Sequence, residues 1–130
     1  MEREWLRLNL YKIMENKIYK IDASGEKLGR LASRVASILL GKNRVDFAKN
    51  TIAPVKVEVT NASKMTISDK RIDKKVYTSY SGYPGGLIER KISKVIADKG
   101  YSDVLKRGVY RMIPPNRLRA KIMLNIKITE

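Results

Sequence analysis

The sequence predicts an α/β domain in which helices cover a sheet, and three observations predict it. A strand, a helix and a second strand follow one another within residues 18–60, helical spacing of apolar residues recurs in residues 88–113, and the chain ends in an alternating apolar segment. Elements in this order favour a sheet with helices packed against it. The 130 residues suffice for one domain with a buried core. We expect this domain at residues 18–130, and an N-terminal extension, disordered in part, at residues 1–17.

The first helix is predicted over residues 26–41, after a strand at residues 18–22 and with a glycine at its last position. Ala23-Ser24-Gly25 reads as a turn, and Gly41 stands where a helix C-terminus favours glycine. Gly29 inside the helix costs about 1 kcal/mol relative to alanine, which either a close backbone approach or simple tolerance explains. The apolar residues recur at helical spacing and are Leu28, Leu31, Ala32, Val35, Ala36 and Leu39.

The second strand is the clearest in the chain and covers residues 55–60. Valines at positions 55, 57 and 59 alternate there with polar residues, after a polar loop at residues 43–54. Met65 and Ile67 predict a further short extended piece, and residues 70–75 a charged connector.

Two more helices and a last strand are predicted in the remainder of the chain. The first helix spans residues 88–98, with Ile88, Ile92, Val95 and Ile96 inward, and Gly100 ends it. The next runs from Tyr101 to Ile113, where Pro114-Pro115 forbids further α-helix. The final strand is predicted from an alternation of Ile122, Leu124, Ile126 and Ile128.

The charge balance points to a polyanionic partner. The chain has 28 basic and 13 acidic residues, a net charge of +15, and the net charge is +5 in residues 1–61 and +10 in residues 62–130. Because the charge is spread over both halves rather than along one amphipathic helix, it favours nucleic acid over a membrane surface. The longest apolar runs have only three residues, which excludes a membrane-spanning helix.

Several kinds of catalytic and metal site are excluded by composition. Cysteine and histidine are both absent, so there is no disulfide, no thiolate or imidazole ligand for a transition metal, and no histidine-based acid/base site. The acidic residues show no paired spacing typical of a hydrolase. We therefore expect no enzyme activity, no cofactor, no metal and no small-molecule substrate.

The most unusual segment, residues 76–86, combines three tyrosines with a glycine-rich turn. Tyr77, Tyr80 and Tyr83 follow four basic residues, at positions 70, 71, 74 and 75. Tyrosine stacks on a base or donates its hydroxyl to a phosphate, so the segment is typical of a binding loop. Packing of Tyr77 and Tyr80 against the sheet is the alternative. A phosphate-binding P-loop is excluded, because no lysine follows the glycines.

Two further basic clusters are candidate nucleic-acid contacts. Lys27, Arg30 and Arg34 share one face of the first helix, for which an ordinary solvated face is the alternative. A second cluster, at residues 111–121, surrounds the rigid pair Pro114-Pro115. Arginine suits this role because its guanidinium donates two parallel hydrogen bonds to phosphate. A solvated loop is the alternative there.

Several segments, in order along residues 18–128, resemble the large-subunit ribosomal protein family L-thirteen. Residues 21–33 (IDASGEKLGRLAS) are similar to the opening signature of that family, and residues 81–87 (SGYPGGL) to its bacterial or organellar members. The remaining similar segments are residues 40–42, 59–64, 75–77, 112–114 and 116–118. The departures fall in turns and loops, and they include Arg111 in place of a glycine and Pro115 in place of a lysine.

The resemblance implies a three-layer α/β/α fold with a central, largely parallel four-stranded sheet. It also implies a structural constituent of the large ribosomal subunit that binds large-subunit rRNA and supports early assembly. The expected partners are that rRNA and neighbouring ribosomal proteins, in cytoplasmic ribosomes or in those of an organelle.

Three rivals remain open: a free-standing nucleic-acid-binding protein, a metal-dependent nuclease and a scaffold for an acidic protein. For the ribosomal reading, the residues that we expect to contact RNA are Lys27, Arg30, Arg34, Lys42, Lys70, Arg71, Lys74, Lys75, Tyr80, Tyr83, Arg107, Arg111, Arg117, Arg119 and Lys121.

Overall fold

Three parallel strands form the main sheet of the computed structural model, which describes residues 17–130. Strand β1 (Lys17–Asp22) and strand β5 (Ile126–Ile128) flank the central strand β2 (Val55–Thr60). Lys17 pairs with Val55 at one end, and Val57 pairs with Ile126 on the other side of β2. Residues 1–16, most of the expected N-terminal extension, lie outside the described residues.

Helix α1 (Leu28–Leu39) covers this sheet as the sequence predicts. All six residues of the predicted stripe are buried, and they pack with Val55, Val57 and Val59 of β2 in one apolar core. Gly41 adopts a φ of 76° directly after the helix, a conformation that glycine reaches without a steric penalty. The prediction of this helix and of its C-terminal glycine is confirmed.

The charged connector is partly helical and leads into a hairpin. Helix α2 (Asp69–Lys74) precedes strands β3 (Val76–Tyr80) and β4 (Leu87–Lys91), which pair antiparallel in a separate two-stranded sheet. The prediction of a helix from residue 88 is therefore wrong at its start, since residues 88–91 pair with β3. Ile88, expected to point inward, is 47% exposed.

The long helix α3 (Ile92–Met112) is interrupted at Gly100, where φ is 78° and ψ is −178°. These angles leave the helical region and are accessible almost only to glycine, so the predicted break is confirmed. The helix ends before Ile113, whose extended backbone is the conformation that a following proline requires.

The end of the chain differs from the predicted strand. Helix α4 (Leu118–Met123) contains Ile122, which is buried, while Leu124 is 83% exposed and only Ile126–Ile128 form β5. The alternation at these positions therefore combines one residue of a helix, one of a turn and two of a strand. The predicted strand is correct in its last three residues only.

The described residues have a mixed α/β architecture with three parallel strands, which corrects the four strands implied by the resemblance. The valines of β2 face α1 in the core, whereas Lys56 and Thr60 on the opposite face are exposed, as are Lys20 and Lys127 of the neighbouring strands. A second helical layer is therefore not seen over this face within residues 17–130. In the same range, none of the helices has the length and apolarity needed to cross a membrane.

Candidate nucleic-acid interface

A buried tyrosine brings four predicted RNA contacts together. Tyr77 on β3 is only 9% exposed. The guanidinium carbons of Arg107 and Arg111 on α3 lie 5.0 and 5.5 Å from the centroid of its ring. Arg71 of α2 and Lys75 line the same cleft. Arginines at this distance from an aromatic face are attracted to the ring quadrupole, so Tyr77 holds two cations at the surface.

The charges around Tyr77 are those of a stable cationic site. Burial raises the pKa of the Tyr77 phenol above its ordinary value of 10.0, against the opposing effect of Arg107 and Arg111. The phenol therefore stays neutral at physiological pH. Asp103 accepts a 2.7 Å hydrogen bond from Nε of Arg107. The two residues are four positions apart on α3 and so lie on the same face, and this bond holds the Arg107 side chain in place.

We name the space beside this cluster the Tyr77 cleft. Its volume is about 180 Å³, and it lies between α1 and α3. The floor consists of buried apolar residues, with Leu28 and Ala32 from α1 and Ile92 and Val104 from α3. The exposed residues Gly29 and Met112 line its edge. The rim is cationic and consists of Arg71, Lys75, Arg107 and Arg111. Among residues 17–130, none of those that line the cleft is acidic.

The hairpin tip presents the other two tyrosines to solvent. Tyr80 is 64% exposed and Tyr83 is 76% exposed. Gly82 and Gly85 have φ values of 87° and 73°, so the tight turn between β3 and β4 depends on glycine at these positions. The alternative in which Tyr77 packs in the core is confirmed, whereas Tyr80 does not pack there.

Arg119 forms side-chain hydrogen bonds that the other basic residues of the cluster at residues 111–121 do not form within the described part of the chain. Its Nη2 donates to the carbonyl oxygen of Ile113 at 3.1 Å and its Nε to that of Pro114 at 3.3 Å. The guanidinium carbon also lies 4.3 Å from the centroid of the Tyr110 ring. Arg119 therefore closes the turn that follows α3.

The remaining predicted cations lie at several separate places on the surface. Lys27 directly precedes α1. The residues on either side of it are tied to Thr66: the Leu28 amide donates to the Thr66 carbonyl oxygen, and the Thr66 amide donates to that of Glu26. Arg34 is paired with Glu26. The other members are exposed and form no ion pair within residues 17–130: Arg30, Lys42, Lys70, Lys74, Arg117 and Lys121.

Sequence reasoning missed Tyr77 and Tyr110 as the partners that orient these arginines. Tyr77 is 30 and 34 residues from Arg107 and Arg111, so no local spacing links them. Helical spacing does place Arg107 and Arg111 one turn apart on the same face of α3. The sequence could therefore predict that the two arginines lie close together, but not that Tyr77 contacts them.

The acidic residues make structural contacts. Oδ1 of Asp22 accepts hydrogen bonds from the amide and hydroxyl of Ser24 and from Nδ2 of Asn61. These bonds lower the pKa of Asp22 to about 2, with the Asn61 bond as the largest cause. Asp46 binds Arg44 through both of its oxygens. Within residues 17–130, no three acidic side chains come together in a way that could hold a metal ion.

Comparison with known proteins gives the family of this cationic α/β chain. A model of the family described as Ribosomal protein L13 matches residues 16–130.

The chain belongs to the ribosomal protein L13 family.

Bacterial members agree over nearly the whole length of the chain. Proteins named large ribosomal subunit protein uL13 from Thermotoga petrophila and Thermus thermophilus are each 38% identical to it, over 88% and 90% of this chain and 76% and 83% of their own. The protein of the same name from Dehalococcoides mccartyi is 35% identical over 95% of this chain and 88% of its own length. The family predicted from the sequence segments is thus confirmed, and with it the prediction that the protein is not an enzyme.

Proposed function

We propose that this protein is a structural constituent of the large ribosomal subunit, that it binds large-subunit rRNA and that it supports early assembly of the subunit. Membership of the L13 family supports the ribosomal role. The observation that carries the RNA-binding role is the Tyr77 cleft, where four cations converge: one from α2, one from the residue between α2 and β3, and two from α3. No acidic residue of the described range 17–130 lines this cleft.

The mode of binding follows from the shape of RNA. The major groove of an A-form helix is too deep and narrow for side chains, so proteins bind rRNA through phosphates, 2′-hydroxyls and unpaired bases. Arg71, Lys75 and Arg111 supply cations for phosphate, and Tyr80 and Tyr83 supply exposed rings at the hairpin tip. We also propose contacts from the separate surface cations: Lys27, Arg30, Arg34, Lys42, Lys70, Lys74, Arg117 and Lys121.

Two of the predicted arginines take a second role in this proposal. Arg107 is half-buried and bound to Asp103, and Arg119 is half-buried and bound to two backbone carbonyls. Arg119 adds to the positive potential at the interface, whereas the Asp103 carboxylate offsets part of the charge of Arg107. We expect their loss to change stability as well as RNA binding.

The partners proposed are large-subunit rRNA and neighbouring large-subunit proteins, and the proposed location is the ribosome of the cytoplasm or of an organelle. Residues 18–130 act as one domain in this proposal.

Fractionation of a cell lysate on a sucrose gradient tests this function. We expect the protein in the large-subunit peak, and its release to the top of the gradient after treatment with ribonuclease. A protein found mainly at the top without that treatment contradicts the proposal and favours the free-standing nucleic-acid-binding alternative.

A further inference from the structure

The exposed edge of the Tyr77 cleft contains an unfilled position at Gly29. A Cβ built on Gly29 meets no heavy atom within 4 Å outside its own neighbourhood. Gly29 also has no positive φ, and it lies inside α1, where alanine is more favourable than glycine. Neither backbone conformation nor internal packing therefore requires glycine. The absence of a side chain leaves space in the cleft, as glycine does where a ligand approaches the backbone.

The chemistry of the cleft suits a group that is both flat and anionic. Leu28, Ala32 and Ile92 offer an apolar floor, and Arg71, Lys75 and Arg111 offer cations at the rim. These three cations form no ion pair with side chains of residues 17–130. A phosphate alone would use the rim and leave the floor uncovered. A nucleotide uses both, because its base has an apolar face and its phosphate a negative charge.

The size of the cleft fits one aromatic ring system. Its volume is about 180 Å³, whereas an apolar cavity of about 150 Å³ accommodates benzene. Pockets for larger small molecules have volumes of about 300–1,000 Å³. The cleft is therefore large enough for one base and too small for two that remain stacked.

We propose that the Tyr77 cleft receives one unstacked base of the bound rRNA, with the adjoining phosphate at Arg71, Lys75 and Arg111. This inference rests on the proposed rRNA binding and adds the site for a single nucleotide. Unpaired bases that are splayed out of the helix are the usual targets when proteins recognise RNA. Gly29 leaves the space that the base occupies.

Substitutions that fill the cleft distinguish a site for a single base from electrostatic binding by the surface cations alone. Gly29→Leu and Gly29→Gln place an apolar and a polar side chain of similar length in the cleft, and Gly29→Ala adds only a methyl group. Ser33→Leu is the matched control, since Ser33 is exposed on the same helix and does not line the cleft. We expect the three Gly29 variants to melt no lower than the unmodified protein, because each replacement favours helix over glycine.

Filter binding to a transcript of bacterial large-subunit rRNA, repeated at several salt concentrations, gives the decisive comparison. Gly29→Leu and Gly29→Gln are expected to weaken binding by about 5- to 150-fold, the range for loss of one stacked base. Gly29→Ala and Ser33→Leu are expected to change affinity by less than about threefold. The magnitude of the slope of log affinity against log salt should fall by no more than about 0.9 for Gly29→Leu and Gly29→Gln, because at most the one phosphate beside the displaced base is released. It should stay constant for Gly29→Ala and Ser33→Leu.

Each other outcome has a distinct meaning. Equal affinities for Gly29→Leu and Ser33→Leu overturn the base site and leave the proposed rRNA binding intact. A loss of affinity in which the magnitude of the slope falls by clearly more than about 0.9, the contribution of one phosphate, means that the substitution disturbs several RNA contacts rather than one nucleotide, which also overturns the base site. If the unmodified protein fails to bind the transcript, the proposed function itself fails.

Discussion

Replacement of Arg119 by alanine should destabilise the protein, although Arg119 belongs to a cluster whose composition indicates only a binding role. The substitution removes two hydrogen bonds, to the carbonyls of Ile113 and Pro114 at 3.1 and 3.3 Å, and the contact with the Tyr110 ring at 4.3 Å. These contacts connect α4 to the turn that closes α3. Their loss leaves two carbonyl oxygens at that turn without this donor.

The magnitude follows from the geometry. Hydrogen bonds of a charged donor contribute about 1.5–3 kcal/mol each, but these are long and partly exposed, so about 0.5–1 kcal/mol each is the better figure. An arginine stacked on an exposed ring adds about 0.5–1 kcal/mol. We therefore expect Arg119→Ala to lower the free energy of unfolding by about 2 kcal/mol. For a chain of this size that is roughly 6–10 °C in Tm.

Arg117→Ala is the matched control, measured by urea unfolding and thermal melting alongside Arg119→Ala. Both substitutions remove one positive charge from the same cluster, but Arg117 is exposed and makes no side-chain hydrogen bond within the described residues. Its replacement should change stability by less than about 0.5 kcal/mol. Equal stabilities of the two variants would refute the structural role of Arg119.

Two further predictions concern backbone conformation and acid stability. Gly100→Ala should destabilise by about 1–3 kcal/mol, because φ at Gly100 is 78° with an extended ψ. The measurement is the free energy of unfolding in urea, compared between Gly100→Ala and the control Lys99→Ala. Equal stabilities of the two variants would contradict the prediction. Asp22 should titrate with a pKa of about 2 rather than 3.8. Since this pKa is lowered in the folded state, Asp22 stabilises the fold above about pH 4, and that contribution is lost as the pH falls towards 2. Asn61→Ala should raise the pKa in an NMR titration, and an unchanged pKa would show that the bond from Asn61 is not its main cause.

Local periodicity predicted the elements that have one buried face. The stripe of α1 and the alternating valines of β2 each mark one face, and both lie in the core as expected. Gly100 and Pro114 ended helical segments for backbone reasons that depend on single residues. These features can be predicted from the local sequence because they do not depend on contacts with distant parts of the chain.

Elements that depend on pairing were predicted less well. Residues 88–91 have an apolar spacing compatible with a helix, but pairing with β3 makes them a strand. Ile122 and Leu124 continue the alternation of β5 in sequence, yet Ile122 belongs to α4 and Leu124 is exposed. Short apolar segments fit either type of element, and tertiary contacts decide between them.

The candidate interface shows the same division. Composition and charge predicted that Arg107 and Arg111 face a polyanion, but not that Tyr77 orients them, because the contact joins distant parts of the chain. Arg117 and Arg119 are indistinguishable by charge pattern. The structure separates them, since only Arg119 reaches the carbonyl groups of the preceding turn.

The most direct test of the account is the salt dependence of binding between the purified protein and a large-subunit rRNA transcript. Each phosphate neutralised contributes about −0.7 to −0.9 to the slope of log affinity against log salt. With five or more phosphates at the exposed cations, we expect a slope steeper than about −3. An affinity that stays flat as salt rises would contradict the claim that this cationic surface binds rRNA.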